Sequence, residues 1–142
     1  MAYATAQQLE DKFGTRLLVD LTDRADPSTG MIDGDVVGRA ITDAEATIDG
    51  YLAARYVLPL ATVPPLVTDL ALALAIYKLH TYSPDPKFTD DYKMAIRTLE
   101  QISRGMIRLP VAGIEPKGTG GGGARVTDRE RPLSAGSMKG FI

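Results

Sequence analysis

A run of glycines near the end of the chain limits what the sequence can fold into. Five of the six residues from Gly118 to Gly123 are glycine, which disfavours a helix and gives the backbone great freedom. The segment beyond it has too few apolar groups to offset the entropy of its own ordering. We therefore predict a folded body over residues 1–109 and a flexible or extended C-terminal arm over residues 110–142.

Length and charge place the body in a single domain with a mildly acidic surface. The chain of 142 residues has 16 basic and 18 acidic residues, and one core accounts for this length. The arm holds five basic and three acidic residues, which leaves 11 basic and 15 acidic residues in the body. This balance is a poor match to a protein that reads duplex DNA, since such proteins present a strongly basic face.

Composition also argues against several kinds of site and location. The chain has no cysteine, which excludes a disulfide framework, a thiolate nucleophile and a cysteine metal site. Its first residues lack the basic and apolar regions of a signal peptide, so we expect no export. The most apolar stretch, Leu70 to Tyr77, is far shorter than the ~20 residues that span a bilayer. We therefore expect no membrane association.

The N-terminal region predicts two short helices. Thr5 and Gln8 have the spacing of a capping box, which opens the first helix, and Gly14 closes it. Pro27 and Gly30 stop the second helix. Its apolar face consists of three leucines: Leu17, Leu18 and Leu21.

From about Asp35 to Arg55, apolar residues recur at spacings of three and four, which places them on one helical face. The other face carries Asp35, Arg39 and Asp43 at four-residue intervals, a charge ladder that we interpret as solvated surface. The apolar positions are Val37, Ile41, Ala44, Ile48 and Tyr51.

A proline-rich connector precedes a strongly apolar helix. Pro59 and Pro64 favour extended backbone, because a residue before proline avoids helical geometry, and Pro65 can begin the next helix. The segment from Leu66 to His80 is apolar almost all round, which is typical of the buried centre of a bundle. One side of this helix is predicted to consist of Leu66, Leu70, Leu74 and Tyr77.

A last helix follows Pro86, with Gly105 as its C-terminal cap and Pro110 as its stop. No pair of strands is indicated. The predicted fold class is mainly α: a small bundle of about four to five helices with proline-rich connectors and an extended Gly-containing arm. The stripe of the last helix is Phe88, Tyr92, Ile96, Leu99, Ile102 and Met106.

The glycine run contains one apparent nucleotide-binding motif. Gly118, Gly120 and Gly123 satisfy GxGxxG, but a dinucleotide site needs that turn between a strand and a helix. A P-loop needs a lysine after its glycines, whereas Lys117 precedes them. We interpret the run as a linker and expect no cofactor.

The remaining polar candidates favour structural roles. A lone His80 is insufficient for a triad or a zinc site, so packing or capping is expected. Asp33 and Asp35 lack the rest of a calcium-loop spacing, which favours helix capping. Asp90 and Asp91 are about 100° apart around a helix and read as a charge pair at its start. We predict no catalytic and no metal-binding residues.

Several segments carry a resemblance to a known family. The run from Ile48 to Leu60 (IDGYLAARYVLPL), then Val63 to Val67 (VPPLV) and an Ala/Leu-rich helix ending in Tyr77 to His80 (YKLH), resembles the small head-tail adaptors of Mu-like phages and prophages. Tyr92 to Ala95 (YKMA) and Leu99 to Gly105 (LEQISRG) continue the pattern. Together these motifs cover most of residues 5–108.

This resemblance implies a non-enzymatic virion protein at the head-tail interface, assembled in the bacterial host cytoplasm. Such adaptors are helical bundles that form a ring, by analogy dodecameric, beneath the portal protein. The resemblance implies as partners the portal protein, a tail-side connector or tail-terminator protein, and further copies of the chain. DNA would pass through the ring without sequence-specific binding.

Candidate contact residues occur in both parts of the chain. Tyr51 and Tyr56 suit either a subunit interface or the core, and the Leu58-Pro59-Leu60 turn suits either a simple connection or a loop shaped for ring contacts. In the arm, the arginines could touch phosphates, but Asp128 and Glu130 interrupt them, which favours linker or protein contact. The candidates are Tyr51, Tyr56, Leu58, Pro59, Leu60, Arg125, Arg129, Arg131, Phe141 and Ile142.

The arm is long enough for assembly work. Fully extended, residues 110–142 reach roughly 110 Å, several times the ~13 Å radius of gyration expected for the body. We hypothesise that Ala124 to Ile142 becomes ordered on assembly. The alternative function is a small DNA-associated binding module, and an enzyme ranks third.

Overall fold

Helices account for most of the structure, a computed structural model that describes residues 2–111. Within these residues there is no strand, and the predicted mainly α bundle is confirmed. None of the helices in this part of the chain is long and apolar enough to cross a membrane. In chain order the helices are α1 Ala6–Phe13, α2 Thr15–Thr22, α3 Gly34–Leu52, α4 Pro65–Leu79 and α5 Pro86–Ser103.

Local capping signals fix the ends of these helices. At α1, Thr5 Oγ1 accepts a hydrogen bond from the Gln8 amide at 3.1 Å, and Gln8 Oε1 accepts one from the Thr5 amide at 2.9 Å. The predicted capping box is thus confirmed. At α3, Asp33 Oδ1 accepts from the Asp35 amide at 3.0 Å, which confirms a capping role for this carboxylate.

The end of α5 is a Schellman motif centred on Gly105. This glycine has a φ of 77°, a left-handed conformation that side chains disfavour. The Met106 amide donates to the Gln101 carbonyl at 2.9 Å, and the Gly105 amide donates to the Ile102 carbonyl at 3.0 Å. Met106 was predicted to continue the apolar stripe, but it is 71% exposed, because the left-handed turn carries the chain off the helix before it.

The core lies between α3, α4 and α5, with α4 at its centre. Side chains on nearly every side of α4 are buried, as its all-round apolar sequence predicts. The prediction was wrong for Leu66, which is 36% exposed, since it lines a groove that α1 and α5 leave open. The buried residues of α4 are Val67, Leu70, Ala71, Leu72, Leu74, Ala75, Ile76 and Leu79.

Hydrogen bonds hold the residues before α1 against two core helices. The Tyr3 amide donates to Glu45 Oε1 of α3 at 2.8 Å, and Thr68 Oγ1 of α4 donates to the Tyr3 carbonyl at 2.9 Å. The Tyr3 hydroxyl donates to Asp49 Oδ1, and the ring is buried. Three contacts thus hold the N-terminal segment against α3 and α4.

Candidate interaction surfaces

The turn between α3 and α4 holds most of the predicted contact residues of the body. Tyr56 and Leu60 are 3% and 1% exposed, so both lie inside the subunit. Leu58 is half-buried and Pro59 is exposed. Of the four predicted contact residues in this turn, Pro59 is the most open to another molecule, and the neighbouring Val57 is 61% exposed as well.

Tyr56 serves the core of its own subunit. Its hydroxyl accepts a hydrogen bond from the Leu109 amide at 2.9 Å in a buried position. Of the two roles that the sequence left open for this tyrosine, the structure supports packing. The predicted turn at Pro59 thus lies between two buried side chains, Tyr56 and Leu60.

Tyr51 is half-buried and lines a groove between α3 and α5, which we call the α3/α5 groove. This groove has a volume of about 430 Å³. Tyr92, on its wall, also stacks on Tyr77 with ring centroids 4.0 Å apart and planes inclined by 16°. The lining residues are Thr47, Tyr51, Tyr92, Lys93, Ile96, Arg97 and Glu100.

A second groove lies between the end of α1, α4 and α5, and we call it the α4/α5 groove. Its volume is about 320 Å³, and most of its lining is apolar. Two apolar side chains at this groove are open to solvent: Leu66 is 36% exposed and Met94 is 63% exposed. Three charged residues also line it: Lys12, Asp69 and Asp91.

A smaller polar pocket of about 180 Å³ brings together Arg24, Arg39 and Lys78. Two of these cations donate hydrogen bonds to backbone carbonyls. Arg24 Nη2 donates to the Leu79 carbonyl at 3.3 Å, where a cation complements the C-terminal end of α4. Arg39 Nε donates to the Asp35 carbonyl at 3.3 Å within α3.

His80 is the C-terminal cap residue of α4 and packs as the sequence predicts. Its Nδ1 lies 2.7 Å from the Ile76 carbonyl, and its ring lies 5.1 Å from the Phe88 ring. Asp90 and Asp91 are exposed near the start of α5, and Asp91 faces the α4/α5 groove. Within residues 2–111, no cluster of three or more histidine and carboxylate side chains has a metal-binding arrangement.

Among the described residues 2–111, two groups have pKa values displaced from their ordinary range, and both displacements have structural causes. Burial, followed by the hydrogen bond to Asp49, raises the pKa of Tyr3. Hydrogen bonds from the backbone of Thr29 and Gly30 lower the pKa of Asp23, whose carboxylate holds the loop after α2. Tyr3 is thus engaged in a contact between the N-terminal segment and α3, and Asp23 in the loop after α2.

The predicted contact residues of the arm lie outside the described residues: Arg125, Arg129, Arg131, Phe141 and Ile142. The predicted linker from Gly118 to Gly123 lies outside them as well.

Sequence reasoning missed the α4/α5 groove. Met94 lies off the apolar stripe of α5. An isolated apolar residue on a polar helix face is the sequence feature that could have indicated this groove. Leu66 was assigned to the core because every turn of α4 is apolar, and the sequence does not show which turn its neighbours leave uncovered.

Comparison with known proteins places the chain in a phage family. The profile of a family described as "Bacteriophage Mu, Gp36" matches residues 3–128. The chain belongs to the phage Mu Gp36 family. The match extends beyond residues 5–108, on which the resemblance rested, and takes in the first part of the arm.

Two relatives of the Gp36 family align over nearly their whole lengths. Gene product J of Escherichia phage Mu is 34% identical over 142 residues, which cover all of both chains. Mu-like prophage FluMu protein gp36 of Haemophilus influenzae is 30% identical over 140 residues, or 99% of this chain and 98% of the relative. Membership of a family of Mu-like phage and prophage proteins, which the resemblance implied, is therefore confirmed.

Proposed function

We propose that this chain is a structural virion protein that forms a ring between the portal and the tail, joins the phage head to the tail and lines the DNA passage. The observation that carries the proposal is the full-length similarity to gene product J of phage Mu, taken with the head-tail adaptor motifs. A ring subunit needs no catalytic group, and the displaced pKa values of Tyr3 and Asp23 both have structural causes.

The surface of the body is suited to contacts with other protein subunits. Two open grooves flank α5, one apolar with exposed Leu66 and Met94 and one lined by Tyr51 and Tyr92. Exposed apolar area and aromatic side chains of this kind are typical of protein contact surfaces. The exposed Pro59 turn and the arm residues predicted above are further candidates for contact with the portal protein or a tail-side protein.

The arm has its own part in this proposal. Weak contacts made by identical arms around a ring add together through multivalency. We expect the segment from Ala124 to Ile142 to resist proteolysis only in the assembled complex. Equal cleavage of this segment before and after assembly would contradict a role in partner binding.

One observation favours the alternative of a DNA-associated module. The α3/α5 groove combines Tyr51 and Tyr92 with Lys93 and Arg97, and nucleic acids bind to aromatic and cationic side chains together. Against it stands the acidic excess of the body, which repels a phosphate backbone.

Sedimentation across a salt series separates the two functions. The full chain is mixed in turn with portal protein, with tail-side proteins and with duplex DNA, from about 50 mM to about 500 mM salt. The proposal predicts co-sedimentation with a portal or tail-side protein that changes little with salt. Binding to DNA alone, falling steeply as salt rises, would replace the ring with the DNA-associated module.

A further inference from the structure

The two grooves of this subunit lie on opposite flanks of one helix. On α5, the α4/α5 groove is lined by Asp91, Met94, Ala95 and Thr98, and the α3/α5 groove by Tyr92, Lys93, Ile96, Arg97 and Glu100. At about 100° per residue, the centres of the two sets are roughly 180° apart around the helix axis. A second copy bound at one groove therefore leaves the other free.

The grooves also differ in shape and apolar character. The α4/α5 groove presents Met94, 63% exposed, and Leu66, 36% exposed. The α3/α5 groove is a recess of about 430 Å³ walled by Tyr51 and Tyr92. A methionine side chain is flexible, fits such a recess, and makes favourable contacts between its sulfur and aromatic rings.

Their charges are of opposite sign. Lys12, Asp69 and Asp91 give the α4/α5 groove a net charge of one negative, and Lys93, Arg97 and Glu100 give the α3/α5 groove a net charge of one positive. Asp69, Asp91, Lys93 and Arg97 are all exposed. Exposed charges add little affinity, but they set the direction and register of an association.

We propose that the α4/α5 groove of one copy docks against the α3/α5 groove of the next, with Met94 seated between Tyr51 and Tyr92 of its neighbour. This inference rests on the proposed ring and assigns its subunit interface. Contact between two different surfaces continues head to tail and closes into a ring when the rotation permits. Surfaces on opposite flanks suit a ring of many members, because each subunit is then turned only slightly relative to the next.

Paired charge reversals test this interface. One full-length variant carries Asp69→Lys and Asp91→Lys, so both of its grooves become basic. The other carries Lys93→Glu and Arg97→Glu, so both of its grooves become acidic. Each variant alone is expected to self-associate severalfold, and up to about tenfold, more weakly than the wild type. An equimolar mixture is expected to restore association, because every contact then joins opposite charges.

Native mass spectrometry, with and without portal protein, provides the readout. The control for the basic variant, Asp20→Lys with Asp26→Lys, adds the same positive charge at exposed positions outside the grooves and should associate as the wild type does. A mixture that stays dissociated, or either variant assembling alone like the wild type, would overturn the interface.

A pair of methionine variants tests the apolar contact. Met94 and Met106 are both exposed, at 63% and 71%, but only Met94 lines a groove. Met94→Ala is expected to weaken association severalfold and Met106→Ala to leave it unchanged. Equal association by the two variants would contradict the seating of Met94.

The same measurements keep this interface distinct from the proposed function. If the wild type and both charge variants form a ring on portal protein, the proposed interface is wrong and the head-tail role stands. Restored association in the mixture without portal or tail-side binding would support the interface and remove the head-tail role. A wild-type chain that stays monomeric alone and with portal protein would overturn both.

Discussion

The backbone amide of Leu109 donates a hydrogen bond of 2.9 Å to the buried hydroxyl of Tyr56. This contact ties the chain that follows α5 to the turn that follows α3, and Val111 is still buried beside it. The last described residues are therefore held against the rest of the structure by a specific side chain.

Replacing Tyr56 with phenylalanine removes this acceptor and leaves the Leu109 amide buried without it. We expect Tyr56→Phe to lower the free energy of unfolding by about 1–3 kcal/mol, the cost of an unsatisfied buried donor. Urea unfolding measures the change. Tyr82→Phe is the matched control, because Tyr82 is 89% exposed and its hydroxyl is open to water. Equal stability of the two variants would show that the contact contributes nothing.

Structural features that depend on residues close together in the sequence could be predicted. The capping box of Thr5 and Gln8, the cap at Asp33 and the helix end at Gly105 each depend on residues within a few positions. The type of the five described helices and most of their bounds follow from such signals and from apolar spacing, but α2 ends at Thr22, five positions before the Pro27 that was predicted to stop it.

Features that depend on distant neighbours could not be predicted in the same way. Tyr3 contacts Glu45 and Asp49, more than 40 positions away. The exposure of Leu66 and Met94 depends on where α1 ends relative to α4 and α5. Apolar spacing shows which face of a helix is apolar, but not which part of that face a neighbour covers.

The contact between Tyr3 and Asp49 predicts a pH dependence. Burial raises the pKa of Tyr3 above its ordinary value of 10.0, so the unfolded chain releases this proton at lower pH than the folded chain. The stability linked to Tyr3 is therefore complete below pH 10 and is lost as the pH rises beyond it. Urea unfolding at about pH 8 and about pH 11 should show a larger loss for the wild type than for Tyr3→Phe. Parallel losses would rule out this linkage.

Replacing Gly105 with any other residue is expected to strain the backbone. Its φ of 77° disfavours any side chain, and an added Cβ would lie 2.6 Å from Arg55 Cζ. We expect Gly105→Ala to destabilise the protein by about 1–2 kcal/mol.

Two glycine controls separate the causes. Gly30→Ala meets a similar φ of 71° in open space, so it should cost about 1 kcal/mol. Gly50→Ala, within α3 and also in open space, should stabilise the protein by about 0.5–1 kcal/mol. Thermal unfolding of the three variants checks the order. A stabilised Gly105→Ala variant would contradict the left-handed helix end.

Two leucines about two turns apart on α4 predict different costs for the same substitution. Leu74 is fully buried at the centre of the core, so Leu74→Ala should cost about 2–5 kcal/mol. Leu66 is 36% exposed at the α4/α5 groove, so Leu66→Ala should cost less than about 1 kcal/mol. Chemical unfolding measures both. A larger loss of stability for Leu66→Ala than for Leu74→Ala would contradict the burial of Leu74 and the exposure of Leu66.

Electron cryomicroscopy of the full chain mixed with portal and tail-side proteins tests the head-tail role most directly. We expect a closed ring of this chain seated between the two, with α5 of every subunit lying between its neighbours. A chain that remains monomeric and attaches to neither protein would contradict it.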